Sequence, residues 1–152
     1  MEGKARLVTV TPVLGTSVYA TGDQIGTAFK LPFAVDQSSD TGAIMSLTVI
    51  DRAKQNQPLD ILLFNSEPTL ISADNAALNI SDAEMALKCI GRLQVLAADY
   101  TDLANVSVAC VPGIGLFIQA SGGKDLWAVI QSRGTPTYAA DGLTLKIGVV
   151  QD

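Results

Sequence analysis

The chain contains no histidine among its 152 residues. Histidine is the commonest general base near neutral pH and a frequent zinc ligand, so its absence excludes Ser-His-Asp catalysis, Cys-His catalysis and His-ligated zinc. No P-loop is present, and Gly113-Ile114-Gly115 lacks the third glycine of a dinucleotide fingerprint. The sequence therefore predicts no catalytic residue, no cofactor site and no metal site, and we expect a protein that is not an enzyme.

Charge is also scarce, because only 16% of the residues are charged and the net charge is -5. The ten basic residues are scattered singly, so they form no patch for a phosphate backbone. The N-terminus lacks the apolar region of a signal peptide, and runs such as ILLF are too short to span a bilayer. We expect no direct nucleic-acid partner and no membrane partner.

Cysteine and aromatic residues are few. Cys89 and Cys110 are the only cysteines, and their spacing fits neither a C-x-x-C pair nor a metal site. Free cysteine is among the most buried residue types, so we predict two buried, reduced thiols, with a disulfide as the alternative. Trp127 lies within an apolar run, which favours a place in the core or in a subunit interface.

Short apolar or alternating runs recur along the chain, at residues 5–13, 25–35, 43–51, 59–65, 92–97, 106–111, 114–120, 126–132 and 142–150. Turn residues separate them, which is typical of β-strands. The runs lie too close together for helical crossovers, so antiparallel sheets are expected. Ser81 and Glu84 fit a capping box and predict one short helix near residues 81–90.

These patterns predict an all-β fold, an antiparallel β-sandwich of jelly-roll type that forms a single domain over residues 1–152. Residues 1–20 have two interpretations: an extended arm that adds a strand to a neighbour's sheet, or the first strand of the chain's own sandwich. The runs at 126–132 and 142–150 have the alternation of a strand pair, joined by a loop that contains Tyr138. We favour a Tyr138 that covers the edge of the core.

Neighbouring carboxylates raise the possibility of glycosidase-like acid and base chemistry. The pairs are Asp36 with Asp40, Asp82 with Glu84, and Asp99 with Asp102. Each pair also fits a turn or the first turn of a helix, where carboxylates accept backbone hydrogen bonds. We interpret all three as structural.

Four segments cover nearly the whole chain and resemble a family of small proteins encoded among the head genes of tailed bacteriophages. They are TVTPVLGTSVYATGDQIG, SLTVIDRAKQNQPLDILLFNSEPTL, NAALNISDAEMALKCIGRLQVLAADY and SRGTPTYAADGLTLKIGVV. The resemblance implies a jelly-roll-type sandwich that acts as a capsid cement or decoration protein on the outside of an HK97-type shell.

The implied partner is the phage major capsid protein, and the implied location is the outer surface of the virion, after synthesis in the bacterial host cytoplasm. We expect a symmetric homodimer, with a trimer as the alternative. The interface candidates are Leu7, Val8, Val10, Tyr19, Trp127, Arg133 and Tyr138.

A different function is also open, namely a tail or surface adhesion module that binds host glycan. That function would require exposed aromatic residues at the loops, for which the sequence offers Tyr19, Tyr100 and Tyr138.

Overall fold

The computed structural model describes residues 3–152, which contain nine strands, one α-helix and one 3-10 helix. The strands are β1 (Lys4–Val10), β2 (Gln24–Leu31), β3 (Thr41–Asp51), β4 (Leu59–Phe64), β5 (Cys89–Val95), β6 (Tyr100–Asp102), β7 (Ser107–Gln119), β8 (Leu126–Ser132) and β9 (Leu143–Gln151). The α-helix α1 spans Asp82–Lys88, and the 3-10 helix spans Ala97–Asp99.

The strands form two antiparallel sheets that pack face to face. One sheet has the order β1-β9-β3-β7-β6 and is called the open sheet below; the other has the order β2-β8-β4-β5 and is called the covered sheet. When the short β6 is set aside, the other eight strands divide between the two sheets in the pattern of a jelly roll. The predicted all-β sandwich with one short helix is therefore confirmed.

The core lies between the sheets and is built from the inward-pointing alternate residues of each strand. Ile44, Leu47 and Val49 of β3 meet Ile61 and Leu63 of β4 in this layer, and all five are fully buried. Burial of each such side chain contributes about 1.5–3 kcal/mol, so the core needs no disulfide.

Both cysteines are free, as predicted, but the prediction that both are buried is wrong. Cys110 is exposed because it points outward from β7, where Ala109 fills the core position beside it. Cys89 is half-buried at the start of β5.

The last two long strands do not pair with each other, contrary to the prediction. β8 lies in the covered sheet between β2 and β4, whereas β9 lies in the open sheet between β1 and β3. The connection between them crosses from one sheet to the other. It is fastened to the N-terminal segment, since Leu14 N donates to Ala140 O and Tyr19 N donates to Pro136 O, both at 2.9 Å.

Residues 107–119 form one long strand, where the sequence predicted two strands separated by a turn. The predicted turn at Pro112-Gly113 is a register shift against β3, at which Pro112 pairs with Ser46 and Leu116 pairs with Ile44. β6 reaches only the first residues of β7, so Pro112 has a strand neighbour on one side only. Proline is tolerated there because no ladder hydrogen bond requires its missing N–H.

β1 belongs to the chain's own sandwich, because it pairs with β9 from Lys4 to Val10. Of the two interpretations of residues 1–20, the described residues show the second. β1 is an edge strand, and two charged side chains lie on it. Lys4 bonds Asp36 at 2.7 Å, and the Arg6 guanidinium lies 5.2 Å from the centre of the Phe33 ring.

α1 begins with half of the predicted capping box. Ser81 Oγ accepts a hydrogen bond from Glu84 N at 3.2 Å, but the Glu84 carboxylate does not return to Ser81. It accepts instead from the backbone N and the hydroxyl of Thr69 and from Lys88 Nζ. The Lys88 hydrogen bond and the Thr69 donors hold the pKa of Glu84 below its usual value. Glu84 thereby ties α1 to the segment that precedes it.

Candidate interaction surfaces

The outer face of the open sheet is formed by four rows of side chains that cross its strands. The rows follow from the strand registers and are Ala5–Val150–Ala43–Phe117, Leu7–Gly148–Ser46–Pro112, Thr9–Lys146–Thr48–Cys110, and Thr144–Ile50–Val108–Thr101. Met45 adds to the second row where β3 shifts register. We call this set of residues the open face.

The open face carries a single charged side chain, that of Lys146. Its first two rows are apolar apart from Ser46, and several of their side chains are exposed. Phe117 is 67% exposed, Leu7 58%, Met45 42% and Val150 41%. An antiparallel sheet with one solvated face normally has polar residues on that face, so this composition indicates a surface that a partner covers.

Shallow hollows lie on both sides of Val150. One, of about 330 Å³, extends towards Leu7 and Met45, and the other, of about 250 Å³, extends towards Phe117. Gly148 forms part of the first hollow. A side chain at this position would collide with Ser46 Oγ unless the serine rotated, so glycine leaves room for the serine hydroxyl. The apolar half of the open face therefore has raised and recessed parts.

The outer face of the covered sheet is buried by the chain itself. Phe64 and Val129 point outward and lie outside the core between the sheets, yet both are fully buried. Residues 65–88 lie against this face, where Leu78 and Met85 line a hollow together with outward-pointing Leu62. The covered sheet thus has its own lid of loop and helix.

A buried carboxylate lies on the same face, beyond the lid. Asp60 is 1% exposed, and its Oδ2 accepts from Arg133 Nε at 2.6 Å and from Arg92 at 3.5 Å. Both arginine side chains are about half exposed. Asp60 thereby holds two guanidinium groups at the surface, and the Arg133 geometry is that of a strong, charge-assisted bond.

A second polar cluster fastens the loops at one end of the sandwich. The carboxylate of Asp74 accepts from the Tyr19 hydroxyl and from Gly26 N, both at 2.7 Å, while the same hydroxyl accepts from Gly15 N at 2.8 Å. Burial, together with the hydrogen bond to Asp74, raises the pKa of Tyr19 to about 12. The neutral phenol therefore links the segment between β1 and β2 to the segment that follows β4.

The structure divides the predicted interface candidates into surface and core residues. Val8, Tyr19 and Tyr138 are buried and offer no side-chain surface, because each packs in the main core. Val10 is half-buried against the same core. Leu7 belongs to the open face.

Trp127 and Arg133 lie on the opposite side of the sandwich from Leu7. Trp127 is half-buried beneath Lys30, whose Nζ lies 5.6 Å from the ring centre, and Arg133 is held by Asp60. The candidates therefore do not form one surface. Burial of Tyr19 and Tyr138 also leaves the loops with few aromatic faces for a glycan.

Five of the six carboxylates in the three pairs have structural partners within the described part of the chain, all but Asp82. Asp36 bonds Lys4, Asp99 accepts from Leu96 N, and Asp102 accepts from Asn56. The hydrogen bond from Lys4 holds the pKa of Asp36 below its usual value. Within residues 3–152, no group of three or more metal-ligating side chains comes together. No helix in that range is long and apolar enough to cross a membrane.

No protein-family model and no curated protein sequence matches the chain.

Sequence reasoning missed Val150, Phe117 and Met45 as surface residues. A signal was present in β9, where the outward positions read Thr144, Lys146, Gly148 and Val150 and so contain one charge. The same lack of charge recurs at the outward positions of β3. Two neighbouring strands with a single charge on their outward faces indicate a sheet whose outer face is also covered.

Proposed function

We propose that the chain is a structural protein of a phage head, a capsid cement or decoration protein that binds the outside of an HK97-type shell and bridges neighbouring major capsid protein subunits. The observation that carries this proposal is the open face. A broad, nearly uncharged sheet face indicates a chain that acts by assembly with protein. The resemblance of the four sequence segments to head-encoded proteins supplies the identity of the assembly.

The charge of the chain supports an external position. A net charge of -5 without a basic cluster disfavours contact with packaged DNA, whose phosphates attract lysine and arginine. A protein that binds the assembled shell but not its dissociated subunits stabilises the shell by mass action. In an oligomer, each copy contributes a contact, so modest contacts to the shell add up to firm attachment.

Co-sedimentation tests the proposal directly. Purified chain is mixed with mature capsids of the encoding phage from which this protein has been stripped, and bound copies are counted per major capsid subunit. We expect saturation at a fixed ratio set by the symmetry of the shell, with no binding to dissociated subunits. Absence of binding, or a few copies per particle, would contradict the proposal and favour the tail or surface adhesion function.

A control variant sharpens the measurement. The substitutions Arg92→Gln and Arg133→Gln remove the two surface guanidiniums but leave the open face intact. Capsid binding that survives these changes places the shell contact away from the covered sheet, whereas loss of binding assigns it to the arginines. Circular dichroism spectra that match the unsubstituted chain would show that the variant is folded.

A further inference from the structure

We propose that two copies of the chain pair through the open face, so that each copy covers the exposed sheet of the other. This pairing rests on the proposed function only in that the chain acts by assembly, and it is tested without any capsid. The occupant of the open face is thus a second copy, and the contact is isologous, with the same residues on both sides.

The distribution of charge favours a second copy. Each chain has a net charge of -5, so two copies repel each other through most of their surfaces. No carboxylate among the described residues lies at an outward position in the four rows of the open face. One carboxylate borders the face: Asp152 accepts from the Thr41 hydroxyl and lines the hollow on the Phe117 side. The four rows themselves place no acidic group across the contact. Within these rows a partner selected by its charge would find only Lys146 to bind, whereas a second copy supplies a matching, nearly uncharged face.

The extent of the face suits a stable dimer. Five strands spaced about 4.8 Å apart span roughly 24 Å, and the nine residues of β9 span roughly 30 Å, which gives a projected area of about 700 Å². A stable interface buries about 800 Å² per partner, and the corrugated surface of side chains exceeds its projection. Depletion of charge is also the compositional signature of the buried centre of a homodimer interface.

The position of Lys146 determines where the two-fold axis lies. Two ammonium groups that met across the axis would repel each other without a carboxylate between them. An axis that runs across the strands along the second row, beside Gly148 and Ser46, keeps the two Lys146 side chains apart and leaves most of the face within the contact. Leu7, Phe117 and the hollows beside Val150 then lie within the contact.

The test is the oligomeric mass of the purified chain, measured by size exclusion with light scattering across a dilution series. We expect a mass of twice 15.9 kDa. Val150→Glu should weaken pairing by on the order of 100-fold or more, because each interface would contain the buried carboxylate twice. The matched control is Val13→Glu, which makes the same change at a side chain that is 78% exposed, in a residue whose carbonyl lies beside Gly26 of the covered sheet. This control should remain dimeric.

A second pair of variants guards against misfolding at Val150, which lies in a central strand. Leu7→Glu changes the edge strand of the open face, and Leu87→Glu changes an exposed helical residue of the same type. The first should dissociate the dimer and the second should not. Circular dichroism and thermal unfolding of each variant would show that the fold is retained.

Several results would overturn the pairing. A monomer at concentrations up to about 100 μM would exclude a dimer of useful affinity. A dimer that survives both Val150→Glu and Leu7→Glu would place the contact elsewhere. A trimer would also overturn it, since an isologous contact closes at two copies. A monomer that saturates stripped capsids, but loses that binding on Val150→Glu, would assign the open face to the shell and leave the proposed function standing.

Discussion

Phe64 and Phe117 both point outward from a sheet of the same sandwich, yet Phe64 is fully buried and Phe117 is 67% exposed. The difference comes from the chain that follows each strand. Residues 65–88 fold back over the covered sheet. On the open sheet the described residues cover only the last row, where Thr11 and Arg52 contact Thr144, and the two apolar rows stay exposed. A sandwich needs burial on its two inner faces only, so apolar residues on an outer face indicate a lid. The covered sheet has its lid within the chain, and we propose that the open sheet obtains one from a second copy.

The largest expected effect comes from truncating the two phenylalanines. Phe64→Ala should lower the free energy of unfolding by about 3–5 kcal/mol, because it leaves a cavity beneath the lid. Phe117→Ala should lower it by less than about 0.5 kcal/mol in dilute protein, where the open face is solvated. Urea denaturation at low protein concentration measures both. Equal losses would contradict the distinction between the two faces.

Alkaline pH should act on neither outer face but on the loops that join the sheets. The pKa of Tyr19 is raised to about 12 from 10.0, so its stabilising effect is complete below pH 10 and is lost as pH rises towards 12. The free energy of unfolding should fall by on the order of 2–3 kcal/mol over this range. Burial raises the pKa of Tyr138 as well, so its ionisation also opposes folding at high pH. Thermal unfolding measured from pH 8 to 12 should show the decline.

The matched variant for the alkaline measurement is Tyr19→Phe, which keeps the ring and removes the ionisable hydroxyl. It should be less stable at pH 8, because Asp74 and Gly15 lose their partner. Its stability should then fall less steeply above pH 10. If the stability of the variant fell with pH as steeply as that of the original chain, Tyr19 would be excluded as the cause of the alkaline destabilisation.

Asp60→Asn should have an intermediate effect on the covered sheet. The substitution keeps the shape of the side chain and removes the charge between Arg92 and Arg133. It should lower the free energy of unfolding by about 1–2 kcal/mol. The loss is modest because water partly screens the half-exposed arginines. Asp102→Asn is the control, since the nearest cation, Lys54, lies 3.9 Å away and the carboxylate is exposed. It should change the free energy of unfolding by less than about 0.5 kcal/mol. If the two substitutions lowered the free energy of unfolding by similar amounts, burial of Asp60 would not strengthen its ion pairs.

The smallest effect is a local loosening of the lid in acid. The pKa of Glu84 is lowered from 4.5, so its contribution is present above pH 4.5 and is lost as pH falls through the lower value of the folded state. Hydrogen exchange, corrected for intrinsic rates, should accelerate in residues 65–88 before it does in β9. Glu84→Gln should produce the same pattern at neutral pH. Simultaneous acceleration in both regions would show that the lid and the open sheet unfold together.

The sequence predicted the class of fold because strands and turns depend on local residues. Each of the nine apolar runs overlaps a strand, with two of them sharing β7, and Ser81 marks the start of α1. Pairing depends on the whole chain, and there the prediction failed. Alternation in β8 and β9 shows that each has an inward face but not which sheet each joins. Pro112-Gly113 is typical of a turn, and only the short reach of β6 allows it to remain within a strand.

The surface was harder to predict than the fold. Leu7, chosen from an apolar N-terminal run, lies on the open face, but Val8 from the same run is buried because consecutive strand residues point in opposite directions. Phe117 and Val150 are adjacent to Ala43 from opposite sides, although they are far apart in the chain. Register brings them together, and no local pattern in the sequence specifies that register.

The charged residues on β1 limit how large an assembly can grow. An exposed edge strand can accept further strands without end and so produce fibres. Here Lys4 and Arg6 lie on that edge and engage Asp36 and Phe33 of the chain itself, and charged side chains on an edge strand disfavour its pairing with another strand. The proposed pairing through the open face would also stop at two copies. Both features favour closed assemblies over filaments.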